Sequence, residues 1–380
     1  MQELRLSPSS MNDYQACPLR FLYNYVYKLQ SKKEKDSIRI GSNWGRCHEI
    51  LGMTPQGKCP TCLKREEIRP DCYLCDGTGI LPMNLMDAVV RFLNWAYETM
   101  PEHKTYEQWQ VEQITLLYSI SAYQWRYADS PFSIVASEIK YDLPVVDSST
   151  NRKIAKARAV GRLDHIIQDK NTGLYYVMER KSTSQSLTTT RYWDYLERNV
   201  QTVSYLWAAR ICQRLGRLER FGIKANDPLI EGVWYDVWHK PDIAPRRTYA
   251  KDRVEWEKSN DYYDEPFEEW SDFETPEMYG ARLLADIAER PEHYFARREF
   301  PITTKKLEKF QQKQTIQAKR IRHDLDKNLW ASHEGSCETP FRCDYRDLCF
   351  AGIEIGSLDV PDGFKKLESK NDQNNTSTKE

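Results

Sequence analysis

Apolar positions along this 380-residue chain recur with two periods, and the changes of period divide it into elements. In "LSPSSMNDYQACPLRFLYNYVYKL", Tyr14, Phe21, Leu22 and Tyr25 repeat at helical spacing behind an N-cap at Ser9 or Ser10. "GSNWGRCHEIL" opens a second helix. A Gly-, Pro- and Cys-rich block at about 52–82 interrupts it, and "NLMDAVVRFLNWAYETM" resumes the helical period. Residues 131–146, 156–169 and 174–181 read as strands, with "DKNTG" as a turn. "RYWDYLERNVQTVSYLWAARICQRLG" reads as one long amphipathic helix, "LIEGVWYDVWHK" as a further strand, and "KKLEKFQQKQTIQAKRIRHDL" as a basic helix. Helices, then three strands, a helix and a strand describe an α/β core with a mixed sheet. The chain thus divides into a helical part at 1–51, an insertion at 52–82, a core at 83–363 and a polar tail at 364–380. The tail has too little apolar content to fold and is expected to be disordered.

Composition narrows the class. Hydrophobic residues make up 40% and charged residues 29%, and the formal net charge is −1, so bulk charge does not coat nucleic acid, although a local basic channel is permitted. No run approaches the roughly 18 apolar residues of a membrane span. The start lacks the basic-then-apolar layout of a signal peptide, so a cytosolic setting is expected.

The chemistry concentrates in "ARAVGRLDHIIQDKNTGLYYVMERKS". If Lys170 to Gly173 form a four-residue loop, Asp164 lies across from Glu179, and alternation puts Asp164, Glu179 and Lys181 on one face. Leu163, Ile167, Tyr176 and Met178 then line an apolar opposite face. Two facing carboxylates repel unless a cation lies between them, and hard oxygen ligands suit Mg²⁺ or Mn²⁺. Lys181 would orient or deprotonate a water, or stabilise charge on a phosphate. Taken alone, a D…ExK pattern is short enough to be an ordinary surface ion pair. His48 in "GRCHEIL" is a helical imidazole that suits the same metal, and Gln201 and Tyr205 in "QTVSY" share one helix face.

Taken in order, Gly45 to His48, Gly161 to Asp164, Glu179 to Lys181 and Gln201 to Tyr205 resemble the G-x-x-H, G-x-x-D, E/D-x-K and Q-x-x-x-Y motifs of the RecB-like branch of the PD-(D/E)XK nucleases. "SSMNDYQACPLRFLYNYV" is similar to that branch's N-terminal S-x4-Y-x2-C-P-x2-F segment. The resemblance covers about 5–50, 131–240 and 295–350. It implies a restriction-endonuclease-like fold, a mixed central sheet flanked by helices. It also implies that His48, Asp164, Glu179 and the Arg180 carbonyl hold Mg²⁺ or Mn²⁺, that Lys181 acts on the attacking water, and that Gln201 and Tyr205 shape the cleft.

Ten cysteines in a cytosolic setting point to metals rather than disulfides. "CPTC…CYLC" sets two C-x2-C knuckles nine residues apart, a pattern for tetrahedral Zn²⁺ through Cys59, Cys62, Cys72 and Cys75. Cys337, Cys343 and Cys349 form a C-x5-C-x5-C run that resembles the branch's iron–sulfur segment, in which Cys17 would supply the fourth thiolate of a 4Fe–4S cluster. Zinc at those four sulfurs, or plain burial, stays open. Cys47 and Cys212 read as buried core residues.

The expected activity is a metal-dependent deoxyribonuclease directed at single strands or free ends, in DNA recombination, repair or replication. The expected setting is the cytosol of a bacterium or a phage-infected host, with a recombination or replication protein as a candidate partner. Lys305, Lys306, Lys309, Lys313, Lys319, Arg320 and Arg322 on the basic helix, and the basic residues at 152–158, would flank the phosphate backbone. The acidic stretch at 255–277 is expected to face away or to guard the cleft. The rival reading is a non-catalytic DNA-binding or assembly subunit that uses the nuclease fold as scaffold; an RNA-directed nuclease is a weaker third.

Overall fold

The computed structural model describes residues 3–367 except 34, 250, 252–272, 339–341, 354 and 358. Its centre is a six-stranded mixed sheet built from β1 (Leu4–Leu6), β3 (Phe132–Val146), β4 (Lys153–Asp169), β5 (Tyr175–Thr183), β6 (Val233–His239) and β7 (Phe295–Phe300). The order is β1-β4-β5-β6-β7, with β3 on the other edge of β4. The β3–β4, β4–β5 and β6–β7 pairs are antiparallel, whereas β1–β4 and β5–β6 are parallel. A separate pair joins β2 (Leu29–Ser31) to β8 (Phe364–Lys366). The expected tail therefore starts later than 364. Phe364 is buried beside Leu29 and Tyr345.

The helices are α1 (Pro8–Ala16), α2 (Pro18–Phe21), α3 (Asp36–Leu51), α4 (Pro60–Leu63), α5 (Leu85–Ala96), α6 (Tyr106–Arg126), α7 (Thr190–Arg198), α8 (Val200–Arg214), α9 (Pro276–Glu289), α10 (Pro291–Tyr294), α11 (Thr304–Lys327) and α12 (Arg346–Phe350). One face of the sheet packs against α1, α7, α8 and α11, through Trp193, Leu206, Trp207, Phe310 and Ile321. The other packs against α3, α5, α6 and α9, where Trp44, Phe92, Leu116 and Tyr279 meet Trp238 and Phe295. No described helix is long and apolar enough to cross a membrane.

The local structure differs from the sequence reading at several points, among them β1, β7 and α9, which it did not assign. Ser7, not Ser9 or Ser10, caps α1, in a reciprocal capping box with Ser10 and with Pro8 in the first turn. The long helix expected over 191–216 breaks at Asn199, whose extended backbone and side chain cap α8 by accepting the Gln201 N–H at 2.9 Å. That break starts α8 afresh one residue before Gln201. Helix α6 was not anticipated. The acidic stretch at 255–277 lies for the most part outside the described residues.

Candidate active site and metal centres

The site forms where strands part. β3 occupies one edge of β4 along most of its length, so β1 and β5 must share the other edge. β1 pairs with Ala157–Ala159 and β5 with His165–Gln168, which leaves residues 160–164 at the fork between them. The hairpin loop is Lys170–Gly173, closed by the Asp169 N–H donating to the Leu174 carbonyl at 3.0 Å, with Gly173 at φ 72°. From the pair His165↔Met178, the register continues to Asp164 opposite Glu179. Here the Arg180 N–H donates to Asp164 Oδ2 at 3.0 Å, a side chain standing in for a ladder carbonyl.

A cleft of about 620 Å³ opens at this fork. Asp164, Glu179, Arg180, Lys181, Gln201 and Tyr205 line it, together with Gly45, Arg46 and Glu49 of α3 and Ser7–Ser9 after β1. Gly161 lies in its wall because the cross-strand Tyr141 ring occupies the space a Cβ would need. Gly45 faces open space.

Glu179 is the centre of the electrostatics. Its Oε1 accepts from Lys181 Nζ at 2.6 Å and from Gln201 Nε2 at 3.0 Å, and Gln201 Nε2 also donates to the Tyr205 hydroxyl at 2.6 Å. Its Oε2 is buried with no hydrogen-bond partner. Burial and the facing Asp164 push the Glu179 carboxyl up to about 8, against the opposing pull of Lys181. Burial disfavours the Lys181 ammonium, but the Glu179 carboxylate outweighs it and holds the amine above its ordinary value. A buried carboxylate oxygen without a donor, next to a second carboxylate, is the donor set a hard divalent cation satisfies.

The sequence reading missed a third acid in this row. Ser137↔His165 and Ile139↔Leu163 bracket Glu138 opposite Asp164, so Glu138, Asp164 and Glu179 follow one another across three strands. Glu138 takes φ 56°, a left-handed conformation uncommon outside glycine, and pairs with Arg162 at 2.5 Å. Burial raises its carboxyl, with Arg162 opposing and Asp164 and Glu49 adding to the rise.

His48 is the expected ligand that the structure does not gather with the acids. Among the described residues, no ion-sized group of ligand atoms joins it to Asp164 and Glu179. Its ring packs edge-on against Trp44 at 4.6 Å and Tyr123 at 4.3 Å, in a neighbouring recess lined also by Arg180 and Arg297. Burial and the cationic Arg180 hold its pKa well below the usual imidazole value, and its Nε2 has no partner. Strand alternation explains the separation: Glu179 and Lys181 face the cleft, whereas the Arg180 side chain points to the opposite face, where His48 lies.

That opposite face is less apolar than expected. Ile167 and Met178 are buried there beside His48 and Tyr176 is partly buried, whereas Leu163, expected on this face, packs into the other core with Leu206 and Trp207. Arg180, Asp236 and Arg297, however, stand in register across β5, β6 and β7. Asp236 takes ion pairs from Arg297 at 3.3 Å and Arg180 at 3.6 Å, and accepts the Tyr123 hydroxyl. Arg180 also donates to His165 Nε2, so His165 Nδ1 carries the proton and donates to Ser137 Oγ at 2.8 Å. The lone Asp236 inside the apolar "VWYDVW" was the available signal, since a buried acid requires a counter-charge.

The profile of the PD-(D/E)XK nuclease superfamily matches residues 5–350, a span that includes the forked sheet, the acid row and Lys181. The chain belongs to this superfamily. No curated protein matches it. The mixed sheet flanked by helices is the restriction-endonuclease-like fold, and nucleases of the superfamily use divalent metals.

Two cysteine groups lie apart from the cleft. Cys59, Cys62, Cys72 and Cys75 are buried with all four ligand atoms within 4.8 Å of one another, a group that could hold a metal ion. Cys59 and Cys72 sulfurs are 3.7 Å apart and Cys62 and Cys75 sulfurs 3.6 Å. The block around them joins the core under α3 and α5 through Leu74 and Leu81. Cys17, Cys337, Cys343 and Cys349 instead surround a cavity of about 130 Å³. They form no ion-sized group among the described residues. Burial and the neighbouring thiols push Cys349 up to about 11. Cys17 takes an extended backbone before Pro18.

The basic helix α11 spends part of its charge internally. Lys306 pairs with Glu197 at 2.7 Å, Lys319 with Asp147 at 2.6 Å, and Arg322 donates to the Lys156 carbonyl at 2.9 Å. Lys309 and Lys313 line a groove of about 530 Å³ against Arg198 and Val203.

Proposed function

We propose that this chain is a divalent-metal-dependent deoxyribonuclease that hydrolyses phosphodiester bonds in single strands or at free ends, during recombination, repair or replication. The observation that carries this reading is the partnerless buried Oε2 of Glu179, set beside Asp164 and Lys181 in an open cleft. Asp164, Glu179 and the Arg180 carbonyl would hold Mg²⁺ or Mn²⁺, which when bound supplies Lewis-acid polarisation of the scissile phosphate and of a water. His48 is left out of this ligand set. Lys181 holds a positive charge beside the reacting phosphate and is placed to orient the nucleophile. Gln201 fixes the Glu179 carboxylate through Oε1, which leaves Oε2 for the cation, and Tyr205 fixes Gln201.

The reading extends to the cysteines. Four sulfurs at ~2.3 Å from a zinc lie about 3.8 Å apart, close to the two spacings seen among Cys59, Cys62, Cys72 and Cys75. Zn²⁺ is therefore the proposed occupant. The four thiols around a larger cavity suit a 4Fe–4S cluster at Cys17, Cys337, Cys343 and Cys349, which would clamp the two ends of the fold together.

Cleavage of linear, circular and single-stranded DNA in Mg²⁺ or Mn²⁺ tests the activity. Wild type should cleave, and Asp164→Ala, Glu179→Ala and Lys181→Ala should each lose at least about 10²-fold while staying folded. No cleavage by wild type, with DNA binding intact, would favour the scaffold subunit. Full activity in a variant would remove that residue from the site.

A further inference from the structure

The four-cysteine block reaches the cleft through one side chain. Tyr73 lies between Cys72 and Cys75, and its hydroxyl accepts an N–H from Arg46 Nη2 at 3.1 Å. Arg46 belongs to the cleft wall on α3. Its Nη1 pairs with Glu49 at 2.6 Å. The Tyr73 backbone is held as well: Arg91 of α5 donates to the Tyr73 and Leu74 carbonyls at 3.1 Å each, and the Tyr73 ring stacks on Trp95 at 4.9 Å. Leu74 and the four cysteines share one core with Trp44 and Ile50 of the same helix as Arg46. The block is thus built into the cleft wall.

The other basic side chains at the fork have partners of their own. Lys181 bonds Glu179, Arg162 pairs with Glu138, and the Arg180 side chain turns to the far face. Arg162 and Arg46 both pair with partly exposed acids, Glu138 and Glu49, and Arg46 differs in that it also meets the four-cysteine block through Tyr73. The Arg46–Glu49 pair lies at the cleft rim, where a phosphate can compete with Glu49 for the guanidinium. A guanidinium cannot lose its proton and presents five N–H donors, so one bond to each terminal nitrogen leaves donors for a phosphodiester. Gly45, next in the chain, adds no Cβ to obstruct that approach.

We infer that Arg46 binds a substrate phosphate in the cleft and that Tyr73 of the four-cysteine block positions it. This rests on the nuclease reading of the cleft. The test is equilibrium binding of a fluorescent single-stranded oligonucleotide without added Mg²⁺ or Mn²⁺, with zinc content measured on each protein. Arg46→Ala should weaken binding about tenfold and lower the slope of log affinity against log salt by about 0.7. Arg46→Lys should recover only part, since an ammonium lacks the fork that meets both partners. Tyr73→Phe should keep its zinc and weaken binding about threefold, and it should add nothing on top of Arg46→Ala. An unchanged affinity and salt slope in Arg46→Ala would refute the phosphate contact. Wild-type affinity in Tyr73→Phe, or a second loss in the double variant, would refute the coupling. Because binding is read without cleavage, active Lys181→Ala would overturn the nuclease site and leave the Arg46 result standing.

Discussion

Glu179 makes metal affinity a function of pH. Its carboxyl is pushed up to about 8 by burial and by Asp164, and only the ionised form donates to a cation. The ionised fraction is about 1% at pH 6 and about 50% at pH 8, so apparent affinity for Mn²⁺ should rise about fiftyfold across that interval and level off above it. Affinity increases with pH because binding releases the proton. In the metal-free protein the sign reverses for stability. The folded carboxyl lies above its unfolded value near 4.5, so its contribution is full below that pH and is lost as pH rises towards 8. By pH 7 the loss is on the order of 3 kcal/mol. Calorimetric titration with Mn²⁺ at pH 6, 7 and 8, in buffers of different ionisation enthalpy, counts the released protons. Glu179→Gln should bind weakly and with no pH slope. Flat wild-type affinity between pH 6 and 8, or a slope that persists in Glu179→Gln, would refute the assignment.

Three further outcomes test the rest of the structure. Cys72→Ser should lose the metal of the four-cysteine block and lower the melting temperature, because binding free energy on the order of 10 kcal/mol is folding free energy there; metal analysis with thermal melts reads it. Protein purified without oxygen should contain iron and absorb in the visible range, and Cys343→Ala should lose both; a colourless, iron-free wild type counts against the cluster. Gly161→Ala should cost about 1–3 kcal/mol in denaturant melts, since the new methyl meets the Tyr141 ring. Pairing it with Tyr141→Ala should restore part of that loss.

Much of the site was readable in the chain because it depends on local rules. Period-2 alternation and a four-residue loop were enough to set Asp164 opposite Glu179 and to put Lys181 on the same face. Helical spacing placed Gln201 and Tyr205 together, and knuckle spacing grouped Cys59, Cys62, Cys72 and Cys75. What was missed depends on distant segments. The α7–α8 break turned on whether Asn199 would cap a helix or continue one, two options close in energy until packing chooses between them. Glu138 entered the acid row through a left-handed residue that strand periodicity does not announce. Arg46 meets Tyr73, 27 residues away, a contact no local spacing announces.

His48 shows the division most clearly. The chain alone specified a helix with Gly45 and His48 one turn apart, which alone says nothing of how that helix is rotated about its axis. Rotation is decided by burial of Trp44, Cys47 and Ile50 against β6, β7 and α6, and it carries the imidazole to Tyr123 and the far face of the sheet. Short-range spacing sets which side chains share a face. Only the packed tertiary structure decides what that face meets, because the energy lies in contacts between segments that sequence order keeps apart.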